Sequence, residues 1–240
     1  MARASRPSLA RILTALVLFG VSFAYVEAAV VVYLRALYEP MQGSVYSNLT
    51  RGELFPLIRR DQLEAQGPEH VRRLATELGR EAATLLVLAA VGVAVAGNFR
   101  QWFAAFLFTF GLWDIFYYVF LKVLLDWPES LLTWDLLFLL PVPWAGPVLA
   151  PVLVALSMVA TGVVALWRES VNQPIQAKWF HWITAVASGV IIVMAFCWDF
   201  RNISAGGEPN PFAWPILALG EALGVAAFLH ALCSGRRPIS

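Results

Sequence analysis

Six long apolar segments dominate this chain and constrain its fold more than any other feature. The hydrocarbon core of a bilayer is about 30 Å thick, and an α-helix crosses it in about 20 apolar residues. Backbone polar groups inside a bilayer must be satisfied within the chain, which favours a helix for each segment. We therefore predict an all-α, polytopic membrane helix bundle, a single integral membrane domain over 1–240. Its six predicted transmembrane helices lie at about 12–34, 82–97, 102–121, 148–167, 179–198 and 212–233.

The composition agrees with a membrane protein. Apolar residues make up 60% of the chain and charged residues 14%, whereas an ordinary soluble domain has about 25% charged residues. The 17 basic and 16 acidic residues nearly balance, which excludes the strongly basic surface typical of nucleic-acid binding. The high apolar content also excludes a disordered chain. We expect the lipid bilayer to be the main partner and expect no nucleic-acid partner.

Two of the connections between the predicted helices are unusual. The connection at 37–81 carries 13 of the 33 charged residues and is expected to form an outer loop. We expect the helix at 82–97 to continue outward into this connection, because Pro68 suits a helix start and three charged residues after it recur at i, i+4 spacing. These residues are Glu69, Arg73 and Glu77. A second connection contains 129–140, which is apolar but too short to cross the bilayer. Prolines follow this stretch closely and exclude a long regular helix beyond it. We interpret 129–140 as an outer half-helix that either re-enters the membrane or lies at its interface.

The basic residues predict how the chain is oriented. Short cytoplasmic loops carry an excess of Lys and Arg. With both termini inside, the short outer connections hold only Lys122 and Arg201. The apolar run of the first helix continues to Leu34, which favours an uncleaved helix over a signal peptide. We expect a multi-pass protein of the cell membrane, as in a bacterial inner membrane, with cytoplasmic N- and C-termini. The cytoplasmic basic residues are then Arg3, Arg6, Arg11, Arg100, Arg168, Lys178, Arg236 and Arg237.

Three acidic residues fall inside the predicted helices and form the candidate site. At about 1.5 Å per residue, Glu27, Asp114 and Glu221 share one depth, roughly 14 Å below the outer surface. No basic residue is predicted at that depth, and a charge at the bilayer centre costs about 2.5–3.5 kcal/mol even on a lenient scale. We expect the three carboxyl groups to face the interior and to keep protons or hold a cation. Alternatively, they form hydrogen bonds between helices in a purely structural role.

Four aromatic and acidic residues complete the predicted site. Tyr117 and Tyr118 follow Asp114 at i+3 and i+4, on the same helix face, and are predicted to line the ligand or cation site. Trp134 and Asp135 belong to the predicted half-helix and are expected to form an outer lid over the acids. The alternative is an interfacial helix anchored by tryptophan, with its acidic residues in solvent.

The chain contains no motif for nucleotide binding, for a zinc protease or for a serine hydrolase, so no cofactor or metal site is assigned. His181 and His230 are expected near the inner surface as histidines with ordinary hydrogen-bond partners. Our leading hypothesis is the binding and translocation of a small solute, a cation or a proton. One alternative is a membrane-embedded enzyme that acts on a lipid-like substrate by carboxylate acid–base chemistry. Another is a structural subunit that binds partner proteins in a membrane complex.

Overall fold

The computed structural model describes residues 8–46 and 53–234, and most of these residues are helical. The helices are α1 (Leu9–Val45), α2 (Arg60–Gln66), α3 (Pro68–Val95), α4 (Phe99–Leu125), α5 (Leu149–Ser170), α6 (Trp179–Phe196), α7 (Phe200–Ser204) and α8 (Trp214–Ser234). Six of them, all but α2 and α7, are long and apolar enough to cross a membrane. The predicted polytopic helix bundle is confirmed, and the protein is an integral membrane protein. Arg3, Arg6, Arg236 and Arg237, used above for the orientation, lie outside the described residues.

Two of the membrane helices extend well beyond the apolar segments from which they were predicted. α1 continues to Val45, and α3 begins at Pro68, which confirms the expected outward continuation of the helix at 82–97. Pro68 occupies the first turn of α3, where a missing N–H costs nothing and the fixed φ angle suits a helix. Much of the predicted outer loop at 37–81 is therefore helical, and many of its charged residues lie on these extensions of the two helices.

The segment after α4 is a β-hairpin, so the prediction of a half-helix at 129–140 is wrong. Strand β1 (Trp134–Phe138) pairs with strand β2 (Trp144–Pro147) in antiparallel register. A short apolar run between turn residues is compatible with either a helix or a buried strand. Here the pairing of β1 with β2 satisfies the backbone groups of this segment through hydrogen bonds between two strands. We call this end of the bundle the hairpin end, and the end where α1 begins the opposite end.

The helices form two groups. α4 is central to the first group and packs most extensively against α5 and α1, and also against α3. α6 and α8 form a second group, which contacts α5 and β2 less extensively. Glycines allow the closest approaches within each group. A Cβ atom on Gly162 of α5 would lie 2.8 Å from the backbone nitrogen of Phe108 in α4, and one on Gly220 of α8 would lie 3.0 Å from that of Ile192 in α6.

Candidate functional site

The structure divides the three predicted acids between two environments. Glu27 of α1 faces α3, where it forms an ion pair with Arg80 and accepts a hydrogen bond of 2.8 Å from the Thr84 hydroxyl. Asp114 of α4 and Glu221 of α8 instead line a cavity between the two groups of helices. The three carboxyl groups therefore do not form one shared cluster, and only the second pair lines a space that a ligand can occupy.

Glu27 has a basic partner, which corrects the prediction that no basic residue lies at the depth of the acids. Arg80 pairs with both Glu27 and Glu77. The depth prediction failed because it placed Arg80 in the outer connection, outside the membrane. In the structure Arg80 is a helical residue of α3, and its long side chain brings the guanidinium group to the depth of Glu27.

Glu81 is a buried residue of the site that was not predicted from the sequence. Its two carboxylate oxygens lie 3.0 and 2.9 Å from the backbone nitrogen of Leu139, which donates to them at the tip of the hairpin. The available signal was its spacing from Glu77, because residues at i and i+4 share a helix face. Glu81 thus attaches the hairpin tip to α3.

Asp135 lies inside the bundle and is buried. The Tyr118 hydroxyl donates a hydrogen bond of 2.9 Å to its carboxylate. Burial raises the pKa of Asp135, while the hydrogen bond from Tyr118 and the positive charge of Arg35 act in the opposite direction. The guanidinium carbon of Arg35 lies 4.2 Å from the ring centre of Trp127, in a cation–π contact. Tyr118 and Arg35 therefore both contribute to the environment of the first hairpin strand.

The remaining predicted residues of this region form aromatic contacts. The ring of Tyr117 stacks on Trp113 at 6.2 Å and meets Tyr118 edge-on at 5.2 Å. Trp134 lies at the start of β1, between the rings of Phe55 and Phe212, at centroid distances of 6.4 and 6.1 Å. The structure thus brings Asp114, Tyr117, Tyr118 and Asp135 into one region. That Trp134 and Asp135 act as a lid stays a prediction.

The cavity between the two groups of helices has a volume of about 660 Å³. Most of its lining is apolar or aromatic and comes from α3, α4, α5, α6, α8 and the hairpin. Near the opposite end, its lining includes Arg100 and Glu169, which are joined by an ion pair of 3.1 Å. At the hairpin end it is bordered by Phe138, Trp144 and Phe196. The cavity therefore extends through much of the thickness of the bundle.

Two polar side chains of the cavity have no partner in the described part of the chain. Asp114 is only 9% exposed, and its carboxylate accepts no hydrogen bond there; its one nearby charged group is Asp135. Trp144 also lines the cavity, and its buried indole N–H has no acceptor. Glu221, by contrast, lies close to the Ser157 hydroxyl, which donates a hydrogen bond of 2.8 Å to the carbonyl oxygen of Val154. An acceptor and a donor are thus left open in a mostly apolar space.

His181 and His230 contact each other near the opposite end. Nε2 of His181 lies 2.9 Å from Nδ1 of His230, and the backbone N–H of Lys178 donates to Nδ1 of His181. In a neutral ring, the proton of His181 must then be on Nε2, so that it donates to His230. Both nitrogens of His181 are therefore occupied, as expected for a histidine with ordinary hydrogen-bond partners, and neither is available to a metal.

No group of three or more His, Cys, Asp or Glu residues in the described ranges is arranged to hold a metal ion. In comparisons with protein-family models, curated proteins and solved structures, no family, protein or structure matches this chain. The cavity and the polar groups that line it are therefore the features from which function can be inferred.

Proposed function

We propose that this membrane protein binds and translocates an apolar solute dissolved in the bilayer, and that the polar group of the solute meets Asp114 and Glu221. The cavity is the observation that carries the proposal. Its volume of about 660 Å³ lies within the range of about 300–1,000 Å³ that is typical of ligand sites. A mostly apolar lining with a few polar groups is also characteristic of such sites.

Access from the bilayer supports a solute of this kind. Leu85 of α3 and Val186 of α6 line the cavity and are 38% and 67% exposed, so the cavity is not closed off by other side chains at these residues. Near the opposite end, α4 and α6 meet through aromatic rings, with Phe99 and Trp182 at 5.1 Å. Because the outer surface of membrane helices faces hydrocarbon, a solute can enter the cavity sideways without crossing water.

The lining favours an apolar solute over a bare metal cation. A hard cation such as Ca²⁺ takes six to eight oxygen ligands, whereas this cavity presents the carboxyl groups of Asp114 and Glu221 among mostly apolar side chains. A proton is better suited to Asp114, because protonation removes the cost of an isolated buried charge. We therefore include proton exchange at Asp114 in the proposed transport cycle.

The proposal is tested by filling the cavity. Ala185 of α6 lines the cavity, whereas Ala187 on the same helix is exposed and does not line it. We expect Ala185→Phe to reduce saturable binding of a fluorescent C16 hydrocarbon probe at least tenfold. The same substitution should abolish the protein-dependent part of the probe's transfer, measured against protein-free liposomes. Ala187→Phe, the matched control, should behave as wild type. Wild-type binding and transfer by Ala185→Phe would refute the proposal.

The carboxyl groups are tested in the same assay. We expect Asp114→Asn to lose the dependence of transfer on a pH gradient, because an amide cannot exchange a proton at neutral pH. The control is Glu64→Gln, which alters an exposed carboxylate outside the cavity. Undiminished pH-driven transfer in Asp114→Asn would remove proton coupling from the proposal. The enzyme and subunit hypotheses stay predictions: the first requires chemical conversion of the bound molecule, and the second requires co-purifying partner proteins.

We also propose that the protein lies in the cell membrane with its N- and C-termini in the cytoplasm. The basic residues of the short connections support this orientation, since the short connections at the hairpin end hold only Lys122 and Arg201. Within the described chain, Arg11, Arg100, Arg168 and Lys178 lie at or near the opposite end. The positive-inside rule places such residues on the cytoplasmic side.

A further inference from the structure

The two unsatisfied polar groups of the cavity differ in kind, and this difference defines what the ligand must offer. In its unprotonated form, Asp114 presents an acceptor with no donor, and Trp144 presents an N–H donor with no acceptor. A buried polar group without a hydrogen bond is unfavourable. A ligand that satisfies both groups at once therefore gains affinity from each of them.

The two groups lie in the half of the cavity nearest the hairpin. Asp114 is 11 residues before the end of α4 at Leu125, about 16 Å along the helix axis. It interacts electrostatically with Asp135 of β1. Trp144 begins β2, the strand that pairs with β1, and its ring contacts Phe138 at 5.5 Å. The rest of the cavity extends away from them toward the opposite end.

We infer that the solute is a long-chain or polycyclic alcohol: its hydroxyl group donates to the Asp114 carboxyl group and accepts from the Trp144 indole N–H, and its apolar body fills the cavity toward the opposite end. This inference rests on the proposed function and specifies its substrate class. A hydroxyl group is the smallest group that both donates and accepts, and it carries no charge into the apolar space.

Ammonium, ether, ester and anionic groups each fail to satisfy both residues. An ammonium group donates to Asp114 but has no lone pair for Trp144. An ether or ester accepts from Trp144 but leaves Asp114 without a donor. A carboxylate or phosphate group would place negative charge close to Asp114 and to Asp135, which already interact across this region. Like charges at short range in a low dielectric repel strongly.

The inference is tested with three probes that share one C18 chain: octadecan-1-ol, octadecyl methyl ether and octadecylamine. Each probe competes with radiolabelled octadecan-1-ol for the full-length protein in detergent. We expect the alcohol to bind about tenfold more tightly than the ether, because its hydroxyl group donates a hydrogen bond to the carboxylate that the ether cannot form. The alcohol should also bind more tightly than the amine.

Two substitutions should change the affinities for the alcohol and the ether in different ways. Asp114→Leu removes the acceptor, so the affinity for the alcohol should fall to that for the ether, while the affinity for the ether itself stays within twofold. Trp144→Phe keeps a ring but removes the N–H, so the alcohol and the ether should both bind about fivefold more weakly. Trp113→Phe is the matched control: its indole N–H is also buried without a partner, but it does not line the cavity.

The outcomes separate this inference from the proposed function. If no C18 probe binds and the C16 hydrocarbon probe fails as well, the proposed function itself fails. If all three C18 probes bind equally, the cavity is an apolar site and the hydroxyl assignment is overturned. Tighter binding of octadecylamine would overturn it in favour of a cationic solute. An equal loss in Trp113→Phe and Trp144→Phe would show that the indole effect is structural, and would overturn the role of Trp144.

Discussion

Replacing Arg80 should destabilise the bundle strongly, because Arg80 neutralises two carboxylates at once. The side chain of Glu27 is only 7% exposed and that of Arg80 26%, and Glu77 pairs with the same guanidinium group. Removing one partner of a buried ion pair costs about 3–5 kcal/mol, since the other charge is left buried and uncompensated. We expect Arg80→Met to lower the free energy of unfolding by about that amount. The hydrogen bond from Thr84 to Glu27 remains but does not neutralise the charge.

A second substitution should recover much of this loss. In the double variant Glu27→Gln, Arg80→Met, the charge of Glu27 is removed together with its partner. The amide oxygen introduced by Glu27→Gln can still accept from Thr84. Replacing both members of a buried ion pair by neutral groups is often close to neutral in stability. We therefore expect the double variant to be about 2 kcal/mol more stable than Arg80→Met, with Glu77 accounting for the loss that remains.

The measurement is reversible unfolding in mixed micelles with an increasing fraction of SDS, followed by tryptophan fluorescence. The control is Arg60→Met, which removes an ion pair with Glu64 whose side chains are 79% and 52% exposed. Exposed pairs contribute about 0–1 kcal/mol. The reasoning is refuted if Arg80→Met is no less stable than Arg60→Met, or if Glu27→Gln makes the Arg80→Met protein still less stable.

Three further predictions concern packing, pH and orientation. Gly162→Ala should lower the free energy of unfolding by about 1–3 kcal/mol, because its Cβ atom would lie 2.7–2.8 Å from atoms of α4. Gly189→Ala should raise the free energy of unfolding by about 0.5–1 kcal/mol, because its Cβ atom would have no other atom within 4 Å. Burial raises the pKa of Asp135 above its unfolded value of about 3.9. The protonated carboxyl group of Asp135 therefore contributes fully to stability below a pH of about 3.9, and this contribution is lost as the pH rises through the folded pKa. Asp135→Asn should remove this part of the pH dependence. In intact cells, an impermeant maleimide should label Glu129→Cys at the hairpin end but not the native, exposed Cys233 at the opposite end.

Each of these predictions has a result that would contradict it. Equal effects of the two glycine substitutions would mean that the close contact between α4 and α5 does not limit packing. A pH dependence of unfolding that is unchanged in Asp135→Asn would show that Asp135 does not bind its proton more tightly in the folded state. Labelling of Cys233 in intact cells, with Glu129→Cys protected, would reverse the proposed orientation. Each cysteine is tested in a protein in which every other cysteine is replaced by serine.

The candidate site was only partly predictable from the sequence. Depth along a helix follows from residue number alone, and this was enough to single out Asp114 and Glu221, which line the cavity. It was not enough for Glu27, because the reach of the Arg80 side chain depends on where α3 begins and on which face it turns toward α1. Trp144 could not be identified at all, since an indole N–H without an acceptor is visible only once its neighbours are placed.

Hydrophobic length by itself determined the class of this protein and its six membrane helices. That information is local: a segment long and apolar enough to cross a bilayer must satisfy its backbone internally, whatever its neighbours are. The tertiary structure alone decided three other features, namely the β-hairpin at β1 and β2, the ion pair of Glu27 with Arg80, and the cavity between the two groups of helices. Each depends on the pairing of separate segments of the chain. The energies that select these pairings come from contacts between elements rather than from the composition of any one of them.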